Sequence, residues 1–185
     1  MSTALVLIDL QKDYFEADQL RALRADLLRA ANELIDRARR EGAPVVEVQT
    51  RHAADRSTWA LNMLADGEGV VIEGSTGAER LDGLHSADHL VVKTRDSAFH
   101  RTDLAGWLTE QRVTHLVLAG VSTESCVAAT AVDAYAHDLQ VTLVEDATAS
   151  VEPRLHDQTL DRLRQQYRQR VCRTSQVSFG EDLDA

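Results

Sequence analysis

The sequence predicts a three-layer α/β/α sandwich built on a parallel sheet of roughly six strands, and two observations carry that prediction. Apolar, β-rich runs recur along the chain with helix-period segments between them. The runs are nearly continuous in Val, Leu and Ile instead of alternating with polar residues, which is the pattern of strands covered on both faces. Strands and helices that alternate through right-handed crossovers place helices on either side of one sheet. A chain of 185 residues fits one domain, residues 1–185, with enough interior to need no staples.

The first strand is "ALVLIDL" (4–10), and residues 20–40 follow as a helix that carries Leu23, Leu27, Ala30, Ala31, Leu34 and Ala38 at helical spacing. Gly42 and Pro44 stop it and release "PVVEVQT" (44–50) as the second strand. Residues 52–75, "HAADRSTWALNMLADGEGVVIEGS", hold no sustained period and are expected to form a loop with one short helix near a ligand. "HLVVKT" (89–94) is the third strand, residues 103–111 a helix, and "THLVLAG" (114–120) the fourth strand. A small-residue helix over 123–137, the strand "VTLVED" (141–146), a helix over 155–167 and the weaker strand "RQRVCRT" (168–174) complete the order. The turn after the first strand, "DLQKDYF", contains no glycine, so the phosphate-cradling G-x-G-x-x-G is absent.

In a doubly wound, Rossmann-like sheet, ligands bind beyond the carboxyl ends of the strands. Asp9 ends the first run, Lys93 the third, and Cys126 follows the fourth. In a 3-2-1-4-5 strand order these three side chains converge. A thiol beside an ammonium and a helix N-terminus is expected to have a lowered pKa, and Asp9 could take its proton and return it to a leaving amine. Taken singly, each residue also has a structural reading: a turn-capping Asp, a solvated Lys, a small buried Cys.

Composition excludes several classes of function. The formal net charge of -10 opposes binding to a phosphate backbone, and the arginines of residues 21–40 are interleaved with acids, so nucleic acid is not an expected partner. No apolar segment reaches the length of a membrane span and no signal peptide is legible, which makes the cytoplasm the expected compartment. Two cysteines imply no disulfide framework. A small molecule is the expected partner.

Four stretches, "ALVLIDLQKDYF", "VVKTRDSAFHRTDL", "GVSTESCVAATAVDA" and "VEDATAS", resemble the isochorismatase-like cysteine hydrolases over nearly the whole chain. The resemblance implies that family's fold and its Asp, Lys and Cys triad at Asp9, Lys93 and Cys126. It also implies a cis peptide between Val121 and Ser122, an oxyanion hole from the N–H groups of Ser122 and Cys126, and a homodimer or homotetramer. Metal-binding members of the family carry an Asp-x-His after the second strand, whereas this chain reads "VQTRHAAD" there. No metal and no other cofactor is therefore expected. His52 is expected to face substrate or solvent, and His85, His89, His100, His115, His137 and His156 to be structural.

Gln11, Phe15, Arg51, Trp59 and Phe99 are candidates for the pocket wall, because they follow strand ends or lie in the irregular loop. Arg51 would suit a substrate carboxylate, and equally a surface salt bridge. Phe15, Trp59 and Phe99 would equally suit the core. Three functions follow: a metal-independent cysteine amidohydrolase acting on a small amide or ureido C–N bond through a thioester, a vinyl ether hydrolase of the isochorismatase type, or a noncatalytic or redox-responsive binding protein on the same fold. The cysteine at the nucleophile position places the amide reaction first.

Overall fold

A computed structural model describes residues 2–180. Its strands are β1 (Thr3–Ile8), β2 (Val45–Thr50), β3 (His89–Lys93), β4 (His115–Val121), β5 (Gln140–Ala149) and β6 (Arg170–Cys172). All neighbours pair in parallel, in the order β3-β2-β1-β4-β5-β6. The helices are α1 (Asp18–Arg40), α2 (Leu61–Asp66), α3 (Leu104–Glu110), α4 (Ala128–Ala136) and α5 (Pro153–Tyr167).

Period-2 alternation along β1 divides the interior in two. Leu5 and Leu7 pack with Leu27, Leu34 and Ile35 of α1 on one face. Val6 and Ile8 pack with Val46, Val48, Leu116 and Leu118, under Leu104, Leu108, Ala131 and Leu160 of the helices opposite. Every residue of β1, β2 and β4 is buried, as continuous apolar runs require. The edge strand β3 departs from that rule: Leu90 and Val92 are exposed, because among the described residues no helix covers that face of the sheet edge. Among the described residues no helix is long and apolar enough to cross a membrane.

The chain direction across the sheet reverses at β1, whose Ile8 pairs with both Val48 of β2 and Gly120 of β4. Crevices open at such points beyond the strand ends. Gly120 is required there by geometry: its φ is +125°, and an added Cβ would overlap the Ile8 carbonyl oxygen. Strand β5 runs to Ala149, three residues past the expected end, after its register with β4 shifts between Leu118 and Gly120. The sixth strand is only three residues long, and α1 begins at Asp18.

Candidate active site

Asp9 directly follows β1 with a left-handed backbone (φ 53°), which turns the chain away from the sheet while its carboxylate stays fully buried. Its Oδ1 accepts from the Thr50 amide at 3.0 Å and the Thr50 hydroxyl at 2.9 Å. Its Oδ2 accepts from Lys93 Nζ at 2.8 Å. Thr50 and Lys93 end adjacent strands as a register pair. The ammonium therefore also reaches Thr50 Oγ1 at 2.7 Å and, across the switch point, Cys126 Sγ at 3.3 Å. Lys93 is 2% exposed, so its charge has no route to water except through this cluster.

Cys126 was expected in the first turn of an α-helix; it lies in a widened π turn, Thr123–Val127, that precedes α4. The Ser122 carbonyl accepts from the Ser125 and Val127 amides, both at 3.2 Å, on either side of Cys126. Such single widened turns often occur at functional sites. The Val121–Ser122 peptide that leads into the turn is cis.

The electrostatics correct a second expectation. Burial pushes the Cys126 thiol well above its ordinary pKa, and the charges of Asp9 and Asp96 add to the rise while Lys93 opposes it. The resting thiol is therefore protonated and needs a base. Burial alone would lower the pKa of Lys93, but the charge of the Asp9 carboxylate paired with it, with the hydrogen bond to the Cys126 sulfur adding, outweighs burial and raises the value. The Tyr14 phenol is likewise raised, by burial first and then by the charge of Asp9, so it stays a neutral hydroxyl.

A cleft of about 580 Å³ opens above Cys126. His52, Asn62, Met63 and Val70 from the irregular loop line it, which places that loop at the site as expected. A larger hollow of about 730 Å³ lies at the amino ends of β4 and β5, against Tyr135 and Tyr167, and no cysteine lines it.

None of the five proposed wall residues lines the Cys126 cleft. Gln11 is fully buried and structural: its amide donates to the Thr50 carbonyl at 2.8 Å and the Ala78 carbonyl at 2.9 Å, and its Oε1 accepts from the Thr50 amide at 2.9 Å. Phe15 belongs to the α1-side core. Trp59 is buried, with its indole N–H on the Ala53 carbonyl at 3.0 Å. Phe99 stacks on His137 and packs against the core of the opposite face. Arg51 donates to Gln49 Oε1 and lines a separate shallow depression with Glu73 and Arg80. His100, expected to be structural, lines the cleft.

Thr50, Tyr14 and Asp96 are the site residues that sequence reasoning missed. Asp96 Oδ1 lies 3.9 Å from Cys126 Sγ. Its signal was available as a carboxylate three residues after a catalytic candidate at a strand end. Among the described residues no three His, Cys, Asp or Glu side chains cluster to hold a metal, and the positions after β2 are Arg51 and His52. That donor set does not fit a metal.

The isochorismatase domain model matches residues 3–176. A protein of Arabidopsis thaliana described as a probable inactive nicotinamidase is 36% identical over 165 residues, covering 84% of each chain. Among solved structures, N-carbamoylsarcosine amidase from Thermoplasma acidophilum superposes with a TM-score of 0.82 at 25% identity, over 96% of this chain and 99% of that one. Nicotinamidase from Bacillus subtilis superposes with a TM-score of 0.80 at 29% identity, over 93% and 100%. With its family model matched over nearly all of its length and these enzymes sharing its architecture, the chain belongs to the isochorismatase family and is a hydrolase of that family.

Proposed function

We propose that this protein is a metal-independent cysteine hydrolase that cleaves a C–N bond of a small amide or ureido-type substrate through a thioester on Cys126. The observation that carries the reading is the position of Lys93 Nζ, 2.8 Å from Asp9 Oδ2 and 3.3 Å from Cys126 Sγ, in a buried cluster that meets a cleft at the thiol. The two neighbouring amidases in the comparison support amide chemistry in general.

Because the thiol rests protonated, the first step couples two transfers. Sγ attacks the carbonyl carbon as its proton passes to the Asp9 carboxylate. Lys93 stabilises the sulfur while it carries negative charge. The carbonyl oxygen is assigned to the N–H groups of Ser122 and Cys126, and each such donor is worth about 3 kcal/mol at a tetrahedral transition state. Asp9 then gives its proton to the leaving nitrogen, the C–N bond breaks and an amine or ammonia departs. Water attacks the thioester, loses a proton to Asp9, and the C–S bond breaks. The thiol recovers that proton, so the balance is one amide and one water consumed, one acid and one amine released.

Turnover of small primary amides, carbamoyl amines and isochorismate by the wild-type, Cys126→Ala and Asp9→Asn proteins tests this. Both variants are expected to lose about four orders of magnitude or more on the amide or carbamoyl substrate. Isochorismate hydrolysis that survives Cys126→Ala and vanishes in Asp9→Asn would transfer the assignment to vinyl ether chemistry. No turnover across the panel, with an ordinary thiol, would identify a binding protein.

A further inference from the structure

Water enters the reaction only after the amine has left, and the base that receives its proton is sealed. Asp9 is fully buried, and three donors hold its two oxygens: the Thr50 amide and hydroxyl on Oδ1, and Lys93 on Oδ2. A carboxylate offers about four lone-pair sites, so one remains, enough to take a proton. It is not enough to aim the water as well, because a water held by one hydrogen bond turns freely about it.

A second carboxylate stands in the cleft itself. Asp96 is exposed, lines the cleft and has its Oδ1 3.9 Å from Cys126 Sγ. The thiol is its only hydrogen-bond donor among the described residues. The backbone beside it is nonetheless fixed. Ser97 and Ala98 are buried, and the Ala98 amide donates to Thr130 Oγ1 at 3.0 Å, which ties the segment after β3 to α4, the helix that continues the Cys126 turn. Asp9 reaches the same sulfur from the buried side through Lys93, at 2.8 Å from one and 3.3 Å from the other. Once the sulfur is acylated it has no proton to give, so Asp96 Oδ1 loses its donor at the stage where a water is needed.

We propose that Asp96 holds the hydrolytic water of the second half-reaction, accepting one of its hydrogens while the other points to the free site on Asp9. Two acceptors on either side of the sulfur aim an oxygen lone pair at the acyl carbon, within the short reach that proton transfer requires. This rests on the thioester reading and adds a catalytic residue to it. As the new C–O bond forms, one proton passes to Asp9 and the C–S bond breaks; the departing sulfur then recovers that proton. The second hydrogen leaves with the product acid, so Asp96 gains no proton over the cycle.

An aryl ester, p-nitrophenyl acetate, acylates a thiol without needing a proton for its leaving group, so the acetyl thioester can be followed apart from amide cleavage. Stopped-flow release of nitrophenolate reads acylation. Quenched intact mass spectrometry reads the lifetime of the Cys126 adduct, with Cys126→Ala as the blank. Asp96→Ala is expected to lengthen that lifetime by about tenfold or more, and Asp96→Asn, which keeps an acceptor oxygen, to lie between. Acylation in Asp96→Ala is expected to be as fast as in wild type or faster, because the Asp96 charge opposes the thiolate. Equal adduct lifetimes in wild type and Asp96→Ala, or an acylation step slowed as much as deacylation, would overturn the inference while leaving the thioester in place. A wild type that forms no adduct on Cys126 would count against the thioester reading and remove the inference with it.

Discussion

At the scale of single residues, the site depends on the order in which charges meet the sulfur. Asp9 and Lys93 act on Cys126 in opposite directions, and burial sides with Asp9. Removing the carboxylate charge with Asp9→Asn lowers the thiol pKa, because Lys93 is then opposed only by burial and Asp96. Alkylation of Cys126 by iodoacetamide at pH 7 is therefore expected to be faster in Asp9→Asn than in wild type by several-fold or more, although turnover is lost. Slower alkylation would show that the Asp9 charge does not hold the thiol protonated. The sequence revealed Asp9, Lys93 and Cys126 because each sits at the carboxyl end of a strand, where topology alone collects polar groups. It did not reveal Thr50, which reads as an ordinary β-former until Asp9 and Lys93 are seen to share its hydroxyl. Arg51 was misplaced for a related reason: side chains alternate along a strand, so if Thr50 faces the site, its neighbour faces away. Phe15 and Trp59 are buried and half-buried Phe99 packs against the core, where large rings gain most from leaving water.

At the scale of elements, two strand features set the site's frame. Gly120 lets β4 lie against Ile8, the residue before Asp9. Gly120→Ala is expected to cost about 2–4 kcal/mol in urea denaturation and to remove activity, since β1 and β4 must separate to admit the methyl. At the other end of the same strands, buried His115 bridges the Thr3 and Thr142 hydroxyls at 3.2 and 2.9 Å. Burial, with Arg170 adding, lowers its pKa to about 4. The unfolded imidazole, near 6.5, takes a proton that the fold refuses. Stability is therefore lost as pH falls from about 6.5 to about 4, by about 3 kcal/mol from this group, and is unaffected by it above that window. His115→Gln is expected to flatten the fall between pH 7 and 4.5; an unchanged slope would show that His115 is not held neutral. The strands were legible because their Val, Leu and Ile runs are short and nearly continuous. The widened turn around Cys126 was not, because "STESCVAATAV" fits an unbroken helical period and nothing local marks one extra residue in a turn.

At the scale of the whole molecule, the parallel sheet explains why residues 9, 93 and 126 meet at all. The reversal of strand order at β1 leaves the ends of β2, β3 and β4 around one crevice, and the irregular loop after β2 closes over it. The strand order could be anticipated from alternating elements and right-handed crossovers. The uncovered face of β3 could not, since an apolar run reads alike whether one face or two are packed. The fold thus supplies the convergence, and solved structures of the same architecture include an N-carbamoylsarcosine amidase and a nicotinamidase. The proposed reaction turns on a covalent thioester at Cys126. Acid-quenched intact and peptide mass spectrometry of the protein during turnover of an amide or carbamoyl substrate tests it most directly. An adduct with the mass of the substrate's acyl group is expected on the peptide containing Cys126, absent in Cys126→Ala. Product release with no covalent adduct at any quench time would contradict it.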